Sequence, residues 1–176
     1  MVTNAARATS ADVEKLATLI KGIQIAMLTT VEPDGSLRSR PMATQKTPFD
    51  GTLWFFTEVN SGKVGEIEGV RHVNVSYADA DNQRYVSVGG MASVVQDRAK
   101  AEELWSPMLK AWFPAGVEDP TLALLKVDVG EAEYWEAPHG AMVRLAGFVK
   151  AVTNGETDRA GENRRVEIGQ EIKNRT

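Results

Sequence analysis

Six stretches rich in β-branched, aromatic and other apolar residues follow one another at short spacing, and they constrain the fold of this chain more than any other feature. Two of them flank Glu32-Pro33-Asp34-Gly35, a strong turn signal that predicts a hairpin. Gly89-Gly90 predicts a bend in the fifth stretch, as in many barrel strands. The predicted strands are Ile23–Thr30, Leu37–Gln45, Thr52–Thr57, His72–Ala78, Arg84–Val95 and Leu122–Trp135. We therefore expect a mainly β fold with peripheral helices (α+β), built as a small barrel.

Helical segments are predicted around and between these strands. Apolar residues at helical spacing favour a helix over Ala11–Lys21. The further predicted helices are Gly62–Glu68, one capped by Asp97, a short one beginning at Ser106-Pro107, and Ala141–Val152. We assign residues 1–152 to one domain. Residues 153–176 form a polar C-terminal tail with five acidic and five basic side chains, expected to be mobile or loosely docked.

Composition excludes several classes of function. A net charge of -4 argues against a nucleic-acid binder that depends on phosphate contacts. The chain has no cysteine, which excludes disulfides and thiolate metal sites and suits a cytoplasmic location. The most apolar run, Leu16–Leu28, is interrupted by polar residues and is too short for a membrane span, and we see no signal peptide. With only His72 and His139, far apart in sequence, no metal site is expected.

The segment between the third strand and the following helix is a candidate phosphate site. Ser61 is placed to cap the helix, Gly62 allows close approach of the backbone, and Lys63 adds a full positive charge. Free backbone amides and the positive dipole end of a helix attract phosphate. The alternative is an ordinary serine cap followed by a solvated lysine.

The second predicted strand carries a candidate anion clamp. Alternation places Arg38, Arg40 and Met42 on one face, and guanidinium groups bind phosphate in a bidentate manner. Pro41 cannot donate to a ladder, so backbone groups around it are open to a ligand. The alternative is a strand face with two solvated arginines.

The tryptophans and the known catalytic motifs give less information about function. Tryptophans 54, 105 and 112 are expected in the core or an interface, whereas Trp135 ends a strand before a turn. The chain contains no Gly-x-Ser-x-Gly sequence, no Walker loop and no Gly-x-Gly-x-x-Gly turn. These motifs therefore point to no hydrolase or dinucleotide fold.

Taken in order, these segments resemble the general stress protein branch of the pyridoxamine 5'-phosphate oxidase-like family. The resemblance runs from about Leu16 to Val152. It is carried by Ile25-Ala26-Met27-Leu28-Thr29-Thr30, the Pro-Asp-Gly turn, Arg38-Ser39-Arg40-Pro41-Met42, Trp54-Phe55-Phe56-Thr57, Ser61-Gly62-Lys63 and Ala132-Glu133-Tyr134-Trp135-Glu136. It implies a six-stranded FMN-binding split β-barrel of Greek-key type, in a homodimer with flavin mononucleotide (FMN) at the subunit interface.

The resemblance also implies roles for individual residues. Arg40 and Lys63 would hold the flavin phosphate, and Ser61 would donate a hydrogen bond to it. The backbone of Pro41, Met42 and Ala43 would line the ring edge. The remaining cofactor-binding candidates are Arg38, Phe56, Thr57, Gly62 and Arg84 from the same subunit, and Trp135 and Arg144 from the second one.

Several functions remain open from the sequence. The first is a flavin-dependent oxidoreductase that moves electrons between a small-molecule donor and an acceptor. The second is a flavin-binding stress protein without turnover, acting as a reservoir or sensor. The third, pyridoxamine 5'-phosphate oxidation, is disfavoured because Gly62 stands where the true oxidases have a basic residue and His139 has no arginine partner at their spacing. A relative that prefers deazaflavin or haem is a further alternative.

Overall fold

A computed structural model describes residues 6–7, 10–136 and 162–168 of the chain. Its strands are β1 (Ala6–Arg7), β2 (Ile25–Val31), β3 (Leu37–Ala43), β4 (Thr52–Glu58), β5 (His72–Asp79), β6 (Arg84–Val95), β7 (Leu122–Glu136) and β8 (Glu162–Glu167). Its helices are α1 (Ser10–Ile20), α2 (Gly62–Gly69) and α3 (Arg98–Leu104), with 3₁₀ helices at Pro107–Ala111 and Gly116–Glu118. The mainly β prediction with peripheral helices is confirmed.

All six predicted strands are present as β2 to β7, with ends within two residues of those expected. Asp97 caps α3 as predicted, because its side chain accepts a hydrogen bond from the backbone N–H of Lys100. The short helix predicted after Pro107 is a 3₁₀ helix. The predicted helix Ala141–Val152 lies outside the described residues.

The strands form one curled sheet in the order β1-β8-β7-β6-β5-β2-β3. Strand β4 pairs with the first half of β7 and approaches β3 without sharing a ladder with it. Most neighbouring strands in the sheet are antiparallel. The sheet curls around a core but remains open between β3 and β4.

The predicted bend at Gly89-Gly90 is confirmed as a register irregularity between β6 and β7. A β-carbon added at Gly90 would lie 2.5 Å from the backbone oxygen of Asp128. Only glycine therefore allows the two strands to approach this closely.

The core lies inside the curled sheet and beneath α1 and α2. Along β2, Ala26, Leu28 and Thr30 are fully buried, whereas Ile25 and Met27 are exposed on the outer face. A second, smaller cluster lies on the other side of β4 and β7; it consists of Ala101, Leu104, Leu109, Phe113, Leu122 and Leu124.

Strand β8 was not predicted from the sequence. It lies in the segment assigned to the polar tail, yet it pairs with the second half of β7 and, in parallel, with β1. Arg165 forms an ion pair with Glu131, and Ile168 is buried against the main core. These contacts correct the expectation of a loosely docked tail for residues 162–168. The domain boundary at residue 152 stays a prediction.

None of the helices in the described parts of the chain is both long and apolar enough to cross a membrane. Among the same residues, no group of three potential metal ligands comes together.

Candidate anion-binding site

Helix α2 begins directly after β4 and lies against β2 and β6. Ser61 occupies the cap position with an extended backbone, as predicted, but its hydroxyl makes no capping hydrogen bond. That hydroxyl lies 3.1 Å from Thr57 Oγ1 and accepts a hydrogen bond of 3.1 Å from Lys63 Nζ. The Ser61 side chain therefore accepts from none of the first amides of the helix, which lie at the positive end of its dipole, although the N–H of Val64 donates to the carbonyl of Ser61.

Arg40 lies beside this helix start in a nearly buried ion pair. Its Nη2 donates to Glu66 Oε2 at 2.7 Å, and the two side chains are only 17% and 8% exposed. Glu66 Oε2 also accepts a hydrogen bond from the buried hydroxyl of Thr30 at 2.5 Å. In the described part of the chain, Arg40 Nη1 is the one buried side-chain nitrogen or oxygen without a hydrogen-bond partner.

The electrostatics of the site reflect this close packing of charges. Burial lowers the pKa of Lys63, and the neighbouring positive charge of Arg40 lowers it further. Burial tends to raise the pKa of Glu66, but the hydrogen bonds from Thr30 and Arg40 outweigh that effect and lower it overall. Glu66 is therefore ionised at neutral pH, and the cluster combines two cations with one carboxylate.

Arg38 lies two residues before Arg40 on β3, on the same face of the strand, and is more exposed. Its Nη1 donates to Glu32 at 3.2 Å, and its side chain is 62% exposed. Its charge still helps to lower the pKa of Glu66, which places it within electrostatic reach of the cluster. Arg38 is thus an outer cation of the site, available to a ligand at the surface.

Pro41, Met42 and Ala43 lie at the open edge of the sheet, since β3 pairs only with β2. The hydrogen bond from Thr44 N–H to Gln24 continues that ladder, so Met42 falls in a hydrogen-bonded pair with Ala26. The backbone polar groups of Met42 are therefore committed to β2, and its side chain is buried. The carbonyl of Pro41 and the N–H of Ala43 face the open edge.

Phe56 and Thr57 point to opposite faces of β4. Thr57 is buried and contacts Ser61, whereas the ring of Phe56 packs edge-on against Trp105 at 5.9 Å in the smaller cluster. The fold therefore places the side chain of Thr57 beside Ser61 at the start of α2 and directs the side chain of Phe56 to the opposite face of β4.

Comparisons with known proteins agree with this architecture. Residues 11–158 match the family model described as "Pyridoxamine 5'-phosphate oxidase like". The chain belongs to this family. Among curated proteins, it is 29% identical to protein bli-3 of Neurospora crassa over 154 residues, which cover 82% of this chain and 74% of that protein.

Solved structures of the pyridoxamine 5'-phosphate oxidase-like family share the fold. A protein assigned as general stress protein 26 from Jannaschia sp. CCS1 superposes with a TM-score of 0.74 at 24% identity, covering 91% of this chain and all of that one. The general stress FMN/FAD binding protein from Xanthomonas citri gives a TM-score of 0.64 at 27% identity, covering 75% of this chain and 93% of that one. The predicted split barrel and the general stress protein resemblance are confirmed.

Two further residues predicted from the family resemblance lie away from the cluster. Arg84 forms an ion pair with Asp79 at the far end of β5 and β6 and also donates to the carbonyl of Thr18. Trp135 lies opposite Tyr85 on the outer face of the sheet, where both are about 40% exposed. Arg144 lies outside the described residues, and its role stays a prediction.

The sequence analysis missed Thr30 and Glu66. Glu66 follows Lys63 by three residues, a spacing that puts both side chains on one face of α2, and this was the one available signal. Nothing local marks Thr30, since it contacts Glu66 only because α2 lies against β2.

Proposed function

We propose that this chain binds FMN through its phosphate at the start of α2 and acts as a flavin-dependent oxidoreductase in a homodimer. The observation that carries the proposal is the buried, unpartnered Nη1 of Arg40 beside Lys63. An unsatisfied buried donor costs about 1–3 kcal/mol, so a ligand oxygen that accepts a hydrogen bond from it is favoured. The general stress FMN/FAD binding protein from Xanthomonas citri, which shares the fold, supports a flavin as the ligand.

The residues present fit a flavin phosphate. A phosphomonoester near neutral pH carries about -1.5 to -2 charges and three acceptor oxygens. Arg40 and Lys63 supply two cations, and the first amides of α2 supply neutral donors. A β-carbon added at Gly62 would meet only Glu66 Oε1, at 3.9 Å, so the helix start is open to close approach. Bound FMN would supply the electron transfer, and these groups would anchor and orient it.

A second copy of the chain would complete the flavin site by contributing Trp135. Arg40 lies on the inner face of β3, opposite the buried Leu28, whereas Trp135 lies on the outer face of β7, four strands away in the sheet. One protomer therefore does not bring these two side chains to one ligand. The outer face of β2 and β3 exposes Ile25, Met27 and Leu37, an apolar surface suited to a dimer interface.

The first experiment identifies the ligand. The protein is purified, its visible absorption spectrum is recorded, and any flavin released by denaturation is identified as FMN, FAD or riboflavin. Lys63→Ala is expected to weaken FMN binding about tenfold or more while riboflavin binding, which involves no phosphate, stays unchanged. Lys110→Ala, at an exposed lysine of the 3₁₀ helix, is the matched control. Equal FMN affinity of all three proteins would contradict the phosphate assignment.

The second experiment tests turnover. Steady oxidation of NADH or NADPH by the flavin-loaded protein supports the oxidoreductase. Tight flavin binding without donor oxidation supports the alternative of a reservoir or sensor. Oxidation of pyridoxamine 5'-phosphate would support the remaining alternative, a pyridoxamine 5'-phosphate oxidase. A molar mass of two chains in light scattering supports the homodimer. A cytoplasmic location stays a prediction.

A further inference from the structure

The carboxylate of Glu66 is the least expected group in a site for an anion. It lies among Arg40, Lys63 and the start of α2, where its own charge repels a phosphate. Burial of a charged carboxylate is unfavourable unless it is paired and hydrogen-bonded. Here Thr30 and Arg40 both donate to the same oxygen, Oε2, and so compensate for that burial.

The geometry of these contacts restricts Arg40. A guanidinium is planar and rigid, so a contact that holds one terminal nitrogen also limits the direction of the other. Glu66 holds Nη2, and Thr30, a fully buried residue of β2, holds the carboxylate in turn. Nη1 is left without a partner by the same arrangement.

We infer that Glu66 is a positioning residue that, braced by Thr30, sets the guanidinium of Arg40 for the phosphate of the flavin. This role rests on the proposed function, because it requires a phosphate-bearing ligand at Arg40. The two residues have different roles toward the phosphate. Arg40 binds the anion, and Glu66 fixes the orientation of the Arg40 guanidinium. Lys63 differs in that it donates to the neutral hydroxyl of Ser61.

The test compares binding of FMN and riboflavin by titration calorimetry to ligand-free wild type, Glu66→Ala and Glu66→Gln. Glu66→Ala is expected to bind FMN about tenfold to a hundredfold more weakly, with riboflavin affinity within about twofold of wild type. Glu66→Gln is expected to recover most of the loss, because a glutamine oxygen can still accept from Thr30 and Arg40. Glu102→Gln, which neutralises an exposed partner of Arg98 on α3, is the control and should leave the FMN affinity unchanged.

A merely structural role for Glu66 would lower the unfolding temperature but leave the ratio of the FMN and riboflavin affinities at its wild-type value. That unchanged ratio in a folded Glu66→Ala protein overturns the inference. If wild type binds neither flavin, or both equally, the proposed function itself fails, which is a different result.

A second pair of variants serves if Glu66→Ala does not fold. Thr30→Val removes the hydroxyl with little change in shape, and Thr30→Ser keeps it. We expect Thr30→Val to weaken FMN binding several-fold relative to Thr30→Ser, again without an effect on riboflavin. Equal FMN affinity of these two variants would also overturn the inference.

Discussion

Replacing Arg40 with methionine isolates the energetic cost of the Glu66 carboxylate in the ligand-free protein. Removal of one partner of a buried ion pair costs about 3–5 kcal/mol, because the other charge stays buried and uncompensated. The substitution also removes the unpartnered Nη1, which returns about 1 kcal/mol, the low end for a buried donor. We therefore expect Arg40→Met to lower the free energy of unfolding by about 2–4 kcal/mol.

Two further variants separate the orphaned charge from simple loss of a contact. Arg40→Met combined with Glu66→Gln removes both charges of this ion pair and should lie within about 1–2 kcal/mol of wild type. Arg38→Met removes an exposed ion pair, with side chains 62% and 30% exposed, and should cost at most about 1 kcal/mol. Urea unfolding followed by tryptophan fluorescence measures all three without flavin.

The pH dependence gives an independent check on the same reasoning. The folded-state pKa of Glu66 in wild type lies below its ordinary value of 4.5, so its stabilising contribution is present above that pH and is lost on acidification. Without Arg40, burial should raise the pKa of Glu66. As the pH falls, Glu66 takes up a proton and the unfavourable buried charge of the variant is removed. The stability gap between wild type and Arg40→Met should therefore shrink from pH 7 to pH 4.5. A constant gap, or a double variant no more stable than Arg40→Met, would refute the argument.

Two other changes have outcomes that the structure defines. Gly90→Ala should destabilise the fold by about 1–3 kcal/mol, because its β-carbon would lie 2.5 Å from the backbone oxygen of Asp128. At Gly89 the atoms nearest to an added β-carbon belong to a side chain, that of Glu131 at 3.0 Å, and not to the backbone. Gly89→Ala should therefore cost less, and equal losses in urea unfolding would contradict this comparison. Hydrogen bonds from Arg84, and then from Asn82, lower the pKa of Asp79 to about 2. Asp79→Asn should therefore lower the unfolding temperature at pH 7 but have a diminishing effect between about pH 4 and 2, as wild-type Asp79 becomes protonated; an undiminished effect at pH 2 would show that the ion pair is not its cause.

Most strands and helices could be predicted because their signals are local. Glu32-Pro33-Asp34-Gly35 marks a turn through residues that favour it intrinsically, and Gly89-Gly90 marks a bend in the same way. Strand β8 lacked such a signal. All of its residues except Val166 are polar or charged. It becomes a strand because β7 offers a free edge and the side chain of Glu131 pairs with Arg165.

The sequence by itself determined which segments carry the cations, since Arg40 on a strand and Lys63 at a helix start follow from alternation and from capping preferences over a few neighbours. Only the tertiary structure decided what surrounds them. Glu66 receives hydrogen bonds from Arg40, 26 residues away, and from Thr30, 36 residues away. Contacts over such separations depend on how α2 packs against the sheet, and hydrophobic packing of Ile67 and its neighbours sets that position without leaving a local pattern.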